Sequence, residues 1–249
     1  MDELERAQRD HYNEILDAYT RSYGDSWSRA YRNQFIDSAM FAGLPLAGKK
    51  VLDAMCGSGE TTGYLLSQNA DVSGLDISDK SIEMFKSKWP TCDAHCTSIL
   101  ETGLEDNTYD CVTIVGGLHH VHPYVGDAVR EIHRILKPNG TFCFMEPHRG
   151  SLPDVLRRLW YSFDPLFESN EEGIDLAFMK EEFSSEFVYR GEKHRGNLAY
   201  LLVFNSLIFR IPSRIKSIYS PLLLKLERLL DRIQTPALSC YAVCQWQKI

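Results

Sequence analysis

The stretch Lys50-Val51-Leu52-Asp53-Ala54-Met55-Cys56-Gly57-Ser58-Gly59-Glu60-Thr61-Thr62 decides the fold of this chain. Its apolar first part is typical of a buried strand, and its two glycines are typical of a tight turn that leads into a helix. Such a strand, turn and helix start let backbone N–H groups approach a small ligand closely. The stretch therefore predicts a ligand-binding loop at the carboxyl end of a strand.

A second strand-like segment ends at Asp76, 23 residues after Asp53. This is where nucleotide-binding α/β folds place a carboxylate that accepts both ribose hydroxyls. The alternative is that Asp76 only caps the helix that follows, but Ser78 is better placed as the N-cap. We therefore predict that Asp76 binds a ribose and that Ile77 offers an apolar surface to an adenine.

Further landmarks follow in the order of an alternating α/β chain. They are a short strand at 92–96 followed by Ser98 and Ile99, a continuous apolar strand that ends at Val115, the segment Gly116-Gly117-Leu118-His119-His120-Val121, a helix over 124–136, the turn Lys137-Pro138-Asn139-Gly140, and a fifth strand at 141–147. Strands that are apolar throughout are typical of a parallel sheet that is covered on both faces.

These segments resemble the class I methyltransferases that use S-adenosylmethionine. The resemblance covers residues 47–147 and rests on the glycine loop, the acidic end of the second strand, the His-His pair and the turn at 137–140. Met55 stands where the family more often has glycine, and Ser98 stands where it often has an acidic residue. The resemblance implies S-adenosylmethionine as the cofactor and S-adenosylhomocysteine as the product.

The resemblance also implies a set of cofactor contacts, which begins in an N-terminal amphipathic helix that includes Tyr12 and Tyr19. In the family, a comparable helix lies over the cofactor; the alternative is that both tyrosines only form the buried face of a docked helix. The predicted cofactor-binding residues are Tyr19, Asp53, Ala54, Gly57, Gly59, Asp76, Ile77, Ser98, Ile99 and Val115.

Methyl transfer from a sulfonium is an in-line displacement, so the protein must mainly position the acceptor and exclude water. A neutral oxygen or nitrogen acceptor also needs a base, and ligands of open α/β sheets bind where strands four and five end. Candidate bases at these ends are His119, His120, His122, Glu146 and His148. We predict His119, His120 and His148 as catalytic, with His119 as the base. Each histidine has the alternative of a structural role, and we predict no metal site.

About 45 residues separate the sixth strand, predicted at 186–191, from the last strand, predicted at 237–246. Hairpin loops usually have 2 to 5 residues, and the excess has a helical pattern with Ser220-Pro221 as the predicted helix start. Residues 205–233 hold six Lys+Arg and two acids, a pattern of peripheral contact with an anionic membrane or of binding to a phosphorylated acceptor. We favour instead an inserted helical lid packed on the active site or on a second subunit, because leucine stripes at helical spacing are more often core than membrane face.

The net charge of −7 resides in the first part of the chain, because residues 1–150 hold 14 Lys+Arg and 22 Asp+Glu, whereas 151–249 hold 13 and 12. Without a clustered basic face we expect no nucleic-acid partner. The seven cysteines, an odd number, are typical of a reducing compartment. A zinc site formed by Cys92, Cys96, Cys240 and Cys244 is conceivable, although these pairs lie in strand-like segments. We find no signal-peptide pattern and no apolar run of membrane-spanning length, so we expect a cytoplasmic protein.

The sequence thus predicts a Rossmann-like α/β fold with a seven-stranded, mostly parallel sheet, an antiparallel last strand, flanking helices and a helical insertion at about 192–236. We expect an N-terminal helical cover (1–46), a cofactor-binding core (47–150) and a substrate side that completes the sheet (151–249). The predicted function is methyl transfer to an oxygen or nitrogen, less readily a carbon, of a small or lipid-linked metabolite.

Two alternatives to this function, and the oligomeric state, stay open. The first alternative is a non-catalytic protein that binds S-adenosylmethionine. The second is an NAD-dependent oxidoreductase. The pattern GxGxxG of dinucleotide-binding loops disfavours the oxidoreductase, because Thr62 stands at the place of the third glycine.

Overall fold

The computed structural model describes residues 3–161, 172–206, 208–209 and 211–249 of the 249-residue chain. Within this part, the side chains at 3, 4, 11, 15, 17–19, 21, 22, 160, 161 and 213 are not described. The predicted cofactor contact of the Tyr19 side chain therefore lies outside the described residues.

One sheet of seven strands forms the centre of the described structure. Its strands are β1 (Lys50–Ala54), β2 (Asp71–Asp76), β3 (Asp93–Cys96), β4 (Tyr109–Val115), β5 (Leu136–Pro147), β6 (Phe187–Arg195) and β7 (Tyr241–Lys248). The order is β3-β2-β1-β4-β5-β7-β6; β1 to β5 are parallel, and β7 is antiparallel to both β5 and β6. The predicted sheet is confirmed. The order reverses between β1 and β4, which is where open α/β sheets bind ligands.

Helices cover both faces of this sheet. They are α1 (Glu3–Tyr23), α2 (Ser26–Tyr31), α3 (Ser38–Met40), α4 (Thr62–Ser67), α5 (Asp79–Lys88), α6 (Val125–Ile135), α7 (Leu152–Tyr161), α8 (Leu176–Glu182) and α9 (Ser213–Leu230), with π-helices at Arg32–Asp37 and Tyr200–Phe204. Helices α6 and α8 pack with Phe144 and Trp246 in one core, whereas α2, the second π-helix and α9 share the other core with Tyr241. The sheet therefore lies between two apolar layers, as in doubly wound folds.

The insertion between β6 and β7 is fixed to the N-terminal part of the chain. Helix α9 packs against α2 and the second π-helix. Its buried Lys216 ammonium lies 2.5 Å from Asp25 Oδ2, and its buried Glu227 accepts hydrogen bonds from the Ala199 N–H at 2.9 Å and the Tyr31 hydroxyl at 3.0 Å. Two buried charged groups thus orient this helix. None of the helices in the described part of the chain has the length and apolar composition that crossing a bilayer demands.

Helix α9 begins at Ser213 and contains Pro221 in its interior, so the prediction that Ser220-Pro221 starts a helix is wrong. The Ser220 hydroxyl donates to the Lys216 carbonyl at 2.6 Å instead of capping a helix end. Pro221 cannot donate to the Ser217 carbonyl, but both residues are exposed, so water can hydrate that carbonyl. The anchored first half of the helix explains why the chain is already helical when it reaches the proline.

The last two strands differ from their predicted bounds. Strand β7 starts at Tyr241 rather than at 237, because residues Pro236–Leu238 form a 3₁₀ turn that the Ser239 hydroxyl closes by donating to the Pro236 carbonyl at 2.9 Å. Strand β6 continues beyond 191 to Arg195, because β7 pairs with it up to that residue.

The strand order contradicts the zinc alternative. Cys92 and Cys96 lie beside and in β3, at one edge of the sheet, whereas Cys240 and Cys244 lie beside and in β7. Five strand-to-strand steps separate β3 from β7, which is about 24 Å at roughly 4.8 Å per step. The two cysteine pairs therefore cannot bind one zinc ion.

Candidate functional site

The loop after β1 has the backbone conformation that its glycines predict. Gly57 and Gly59 have φ values of +54° and +82°, the left-handed region that glycine adopts readily. Met55 is also left-handed, with φ at +52°, which is unfavourable for a residue with a side chain. The Gly57 N–H donates to Asp76 Oδ2 at 2.9 Å, so the loop is tied to the end of β2.

A cavity with an empty volume of about 940 Å³ opens at the carboxyl ends of β1, β2 and β4, and α1 forms its outer wall. Concave sites that combine apolar side chains with a few polar groups are typical of small-molecule sites. The predicted residues that line it are Asp53, Gly57, Asp76, Ile77, Ser98, Ile99, Val115 and His120, whereas Ala54, Gly59, His119 and His148 are not among its lining residues. No described residue of α9 lines it either, so this helix is not a lid over the cavity.

Two glycines beside the cavity make room for side chains. A Cβ at Gly59 would clash with Trp89, whose indole N–H donates to the Ser58 carbonyl at 3.2 Å. Gly59 thus lets Trp89 support the loop from outside the cavity. A Cβ at Gly117 would lie 2.7 Å from Met55 Sδ. The absence of a side chain at Gly117 therefore gives the Met55 side chain room to line the cavity.

The carboxylates of Asp53, Glu60 and Asp76 line the cavity. Burial raises the pKa of Asp53 to about 7, although its carboxylate accepts a hydrogen bond from the Thr62 hydroxyl at 2.6 Å. Asp76 is partly exposed within the cavity, yet the surrounding protein still raises its pKa by desolvation. A cationic ligand would stabilise the ionised carboxylates, so this wall favours positive charge.

Arg32 is a cavity residue that the sequence analysis missed. The residue is 5% exposed; its Nη1 donates to the Thr61 hydroxyl at 2.7 Å, and its guanidinium carbon lies 5.5 Å from the Phe204 ring centroid. Its buried Nε has no hydrogen-bond partner among the described residues. The available signal was an arginine that directly follows Tyr31 and shares a buried face with Phe35 and Ile36.

Asp37 ends the π-helix that begins with Arg32, and it is fully buried. Neither of its carboxyl oxygens has a hydrogen-bond partner in the described part of the chain. Burial raises the pKa of Asp37 to about 7, and the charge of Arg32 opposes that shift. Single π-helical turns are frequent at functional sites. This π-helix places Arg32 in the cavity wall and Asp37 in the protein interior, outside the cavity lining.

His120 is the member of the His-His pair that faces the cavity. Its Nε2 lies 2.7 Å from the Tyr12 hydroxyl, and its backbone carbonyl accepts a hydrogen bond from the Gln8 amide at 2.8 Å. Both partners belong to α1. The histidine and this helix therefore close one end of the cavity together.

His119 is buried behind His120. Its Nδ1 lies 2.7 Å from Glu146 Oε2, and the other oxygen of this carboxylate accepts the N–H groups of Gly117 and Leu118 at 2.8 Å each. The rings of His119 and His120 have centroids 3.9 Å apart. The Glu146 carboxylate thus fixes the His119 ring, and the His119 ring packs against His120.

His148 lies in a different polar cluster. Its Nε2 is 2.5 Å from the Ser239 hydroxyl, and its ring centroid is 4.7 Å from that of His194. Burial, and then the neighbouring His194, lower the pKa of His148. The geometry gives its predicted catalytic role no support.

Comparison with known proteins adds chemistry to this geometry. Residues 52–144 match the family model described as a methyltransferase domain. A demethylmenaquinone methyltransferase from Staphylococcus epidermidis is 30% identical over 177 residues, which cover 66% of this chain and 70% of that protein.

Solved structures share the fold. A SAM-dependent methyltransferase from Archaeoglobus fulgidus superposes with a TM-score of 0.62 at 15% identity and covers 93% of this chain and 99% of its own. The [4+2]-cyclase SpnF superposes with a TM-score of 0.70 at 17% identity, covering 98% and 96%. At such identities the likeness extends to the fold alone, so the choice of chemistry depends on the sequence relatives and on the cavity.

Proposed function

Since the chain belongs to the class I S-adenosylmethionine-dependent methyltransferases, we propose that it methylates an oxygen, nitrogen or carbon atom of a small, lipid-linked metabolite that binds beside His120. The observation that carries this proposal is the cavity itself, which joins an acidic, glycine-lined part to a histidine held by α1. In this arrangement the methyl donor and the acceptor meet at the carboxyl end of β4.

S-adenosylmethionine is the methyl donor, and the described residues fit it. Arg32 lines the cavity, and its guanidinium suits the carboxylate of the methionine part, whereas the carboxylates of Asp53 and Glu60 suit its positive groups. We infer that Asp76 accepts the ribose hydroxyls and that Ile77 flanks the adenine, as their positions at the end of β2 support.

The protein contributes orientation and the exclusion of water. When bound, S-adenosylmethionine supplies a methyl group on a sulfonium. Holding an acceptor in line with such a group can contribute roughly 7 to 11 kcal/mol in favourable cases. Gln8 and Tyr12 hydrogen-bond to His120 across the cavity entrance, so α1 is the element that we propose keeps water out.

An acceptor hydroxyl or amine must also lose its proton. We infer that His120 takes this proton, because its ring lies in the cavity wall, with the Tyr12 hydroxyl 2.7 Å from Nε2. His119 and Glu146 are then positioning residues, since Glu146 holds the His119 ring on which His120 stacks.

This assignment has a direct test in two variants. His120→Asn should lower kcat by about 10²- to 10⁴-fold, the usual contribution of a general base, and should leave the affinity for S-adenosylhomocysteine unchanged. His148→Gln, which can keep a hydrogen bond to Ser239, should retain wild-type turnover. Wild-type turnover with an unchanged pH profile in the His120 variant would place the base elsewhere.

The proposed acceptor class comes from the relatives. The S. epidermidis relative is named for demethylmenaquinone, and an acceptor of the same general kind, a small reactive group on a lipid, suits a cavity that opens beside apolar side chains. A lipid-linked acceptor resides in a membrane. The protein would therefore meet it at a bilayer surface, and the basic amphipathic pattern of residues 205–233 is compatible with such a contact.

Release of S-adenosylhomocysteine in the presence of a bacterial lipid extract tests the proposed function. Thermal unfolding with S-adenosylmethionine, S-adenosylhomocysteine and NADH gives the binding control: a true ligand at about 100 times its Kd adds roughly 2.7 kcal/mol, or several degrees at this size. We expect shifts with the first two compounds and product release with the extract. Shifts without product release from any lipid fraction would favour the non-catalytic binder.

A further inference from the structure

Five large apolar side chains on and just after α9 point into solvent. They follow one side of the helix at helical spacing and are Ile215, Ile218, Leu222, Leu229 and Ile233. Ile218 is 81% exposed and Leu222 is 70% exposed. Single exposed leucines are ordinary, but a continuous row on one helix marks an interaction surface. We refer to these five residues as the outer stripe.

The charges that flank the outer stripe are positive. The exposed basic residues on this side are Arg214, Lys225, Arg228 and Arg232. The two acidic residues of the segment face elsewhere: Glu227 is buried, and Asp231 lies 3.0 Å from the Arg195 guanidinium. A cationic, apolar face on a protein with a net charge of −7 is therefore a local feature of this helix.

Helix α9 cannot roll to bury the outer stripe. Lys216, on its inner side, is bound by Asp25 and by the hydroxyls of Ser28 and Ser206 at 2.5 to 3.0 Å. Eleven residues later, the Glu227 carboxylate accepts hydrogen bonds from the backbone N–H groups of Asn197 and Ala199, just before the second π-helix. Releasing either buried charge would be costly, so the stripe remains at the surface.

Helix α7 adds a second exposed apolar row. Leu152, Val155, Leu156 and Leu159, at i, i+3, i+4 and i+7, are each more than half exposed, and the acid of this helix, Asp154, is buried. An apolar groove joins α7 to the chain that enters α9, since Leu152 and Leu156 line it together with Ile208 and Phe209. Pro147, at the carboxyl end of β5, and Cys240, just before β7, also line the groove. The groove therefore opens at the carboxyl end of the parallel strands, as the cofactor cavity does.

We propose that the outer stripe and its basic residues dock the protein onto the surface of an anionic lipid bilayer, with the apolar row of α7 beside it. An amphipathic helix that places apolar side chains among Lys and Arg binds such a surface through buried apolar area and attraction to anionic lipids. This inference rests on the proposed function, because docking would serve to bring a lipid-linked acceptor to the carboxyl ends of the strands, where the cofactor cavity opens.

Charge argues against a second copy of the chain as the occupant. In a two-fold interface, the outer stripe would meet itself and bring Lys225 and Arg228 toward the same residues of the partner, and like charges at an interface disfavour association. An anionic bilayer offers the complementary charge along the whole row.

Sedimentation with vesicles tests the proposal. The wild type should co-sediment at low salt with vesicles of phosphatidylcholine and phosphatidylglycerol, bind pure phosphatidylcholine at least tenfold more weakly, and dissociate as salt is raised. The double variant Ile218→Asn, Leu222→Asn should lose at least tenfold in binding to the anionic vesicles. The double variant Lys225→Gln, Arg232→Gln should lose the preference for anionic lipid.

A matched control is Phe178→Asn, which removes an exposed aromatic residue from α8. It should sediment like the wild type, and all variants should keep the thermal shift with S-adenosylhomocysteine, which shows that they fold. A wild type that stays in the supernatant at low salt would overturn the proposal. A wild-type dimer that the Ile218 and Leu222 substitutions dissociate would also overturn the proposal, because the outer stripe would then be an interface between two copies of the chain.

The outcomes separate the two proposals. Vesicle binding without methyl transfer to any lipid fraction would reject the proposed function and keep the docking surface. Methyl transfer to a detergent-dispersed acceptor by a protein that does not bind vesicles would reject the docking surface and keep the function.

Discussion

Arg32, which lines the cavity, and Asp37, which does not, both have buried polar atoms without hydrogen-bond partners among the described residues. An unsatisfied buried group costs free energy, so native proteins rarely keep one without a use. For Arg32 the use that we propose is the cofactor carboxylate. The strain at Met55, which has a left-handed backbone beside the same cavity, agrees with a site built for a ligand.

Arg32→Gln should weaken the binding of S-adenosylhomocysteine about 10- to 100-fold, because a hydrogen bond to a charged group contributes roughly 1.5 to 3 kcal/mol. Isothermal titration calorimetry measures the loss. The matched control is Arg29→Gln, an exposed arginine on the preceding helix, which should bind as the wild type does. Equal affinity in both variants would remove Arg32 from the cofactor site.

Asp37→Asn should change how stability depends on pH. The pKa of Asp37 is raised to about 7 by burial, so between about pH 4 and 7 the unfolded aspartate ionises while the folded one keeps its proton, and the wild type loses stability as pH rises through this window. In the variant, asparagine does not ionise, so this part of the decrease in stability with pH is absent. We expect the variant to gain about 2 to 3 kcal/mol relative to the wild type between pH 5 and pH 8.

Urea unfolding at both pH values measures this gain. Both proteins keep the burial that mainly raises the pKa of Asp53; the Asp37 charge is the smallest of the causes of that shift, so Asp53 changes the comparison only slightly. A stability difference that is the same at pH 5 and pH 8 would contradict the raised pKa of Asp37.

At the scale of elements, α9 shows how an insertion becomes part of a core. Its inner face carries Lys216, Leu224 and Glu227, all buried against the N-terminal cover and the second π-helix. The basic residues that looked alike in the sequence thus divide: Lys216 is a structural cation, whereas Lys225 is exposed.

Lys216→Met should destabilise the protein by about 2 to 4 kcal/mol, because it leaves the Asp25 carboxylate without its cation. Asp25 also caps α2, accepting the N–H groups of Trp27 and Ser28, so the loss should reach the N-terminal cover. The control Lys225→Met, on the same helix, should stay within about 0.5 kcal/mol of the wild type. Chemical denaturation of both proteins provides the comparison, and equal stabilities would show that the buried pair does not anchor α9.

Pro221→Ala should stabilise the protein, because alanine restores the backbone donor inside α9 and has a helix propensity about 3 kcal/mol better than proline. Part of this gain is already offset by hydration of the exposed carbonyl, so we expect about 1 to 2 kcal/mol. Pro212, outside the helix at its N-terminal cap, gives the contrast: Pro212→Ala should bring no gain. A lower melting temperature for Pro221→Ala would mean that the proline shapes the helix.

At the scale of the whole molecule, a helix from the N-terminus closes a site that the sheet forms. Helix α1 contacts the rest of the protein through, among other residues, Gln8 and Tyr12 on His120 and Asn13 on Asp79. Because Gln8 and Tyr12 also line the cavity, local opening of α1 would expose it, and we propose that this helix admits and covers ligands.

Hydrogen exchange should report this closure. Amides of α1 should exchange at least tenfold more slowly when S-adenosylhomocysteine is bound, because ligand contacts along the cavity stabilise the closed helix. Amides of α9 should be unaffected, since its described residues do not line the cavity. Equal protection of α1 with and without ligand would show that the helix is no moving cover.

Most of the fold could be predicted from the sequence because its signals are local. A glycine loop after an apolar strand and an N-cap at Ser78 each depend on a few neighbouring residues, so the seven-stranded, mostly parallel sheet, the family and the cofactor could be predicted. Residues 137–140, predicted as a turn, belong to β5. The prediction of a helix start at Ser220-Pro221 is wrong because it depends on two residues alone. The turns of α9 before Pro221 are stabilised by the buried Lys216, which contacts Asp25 in a distant part of the chain.

By itself, the sequence determined the β-α-β arrangement and the glycine loop that identify a class I methyltransferase, because backbone geometry and apolar periodicity depend on near neighbours. Only the tertiary structure decided that Arg32 enters the cavity and that His120, not His119, faces it. Tyr12 and His120 are 108 residues apart in the sequence, and Glu146 near the end of β5 contacts His119, which follows the neighbouring strand β4. Contacts of that separation depend on how complete elements pack, which no local pattern contains.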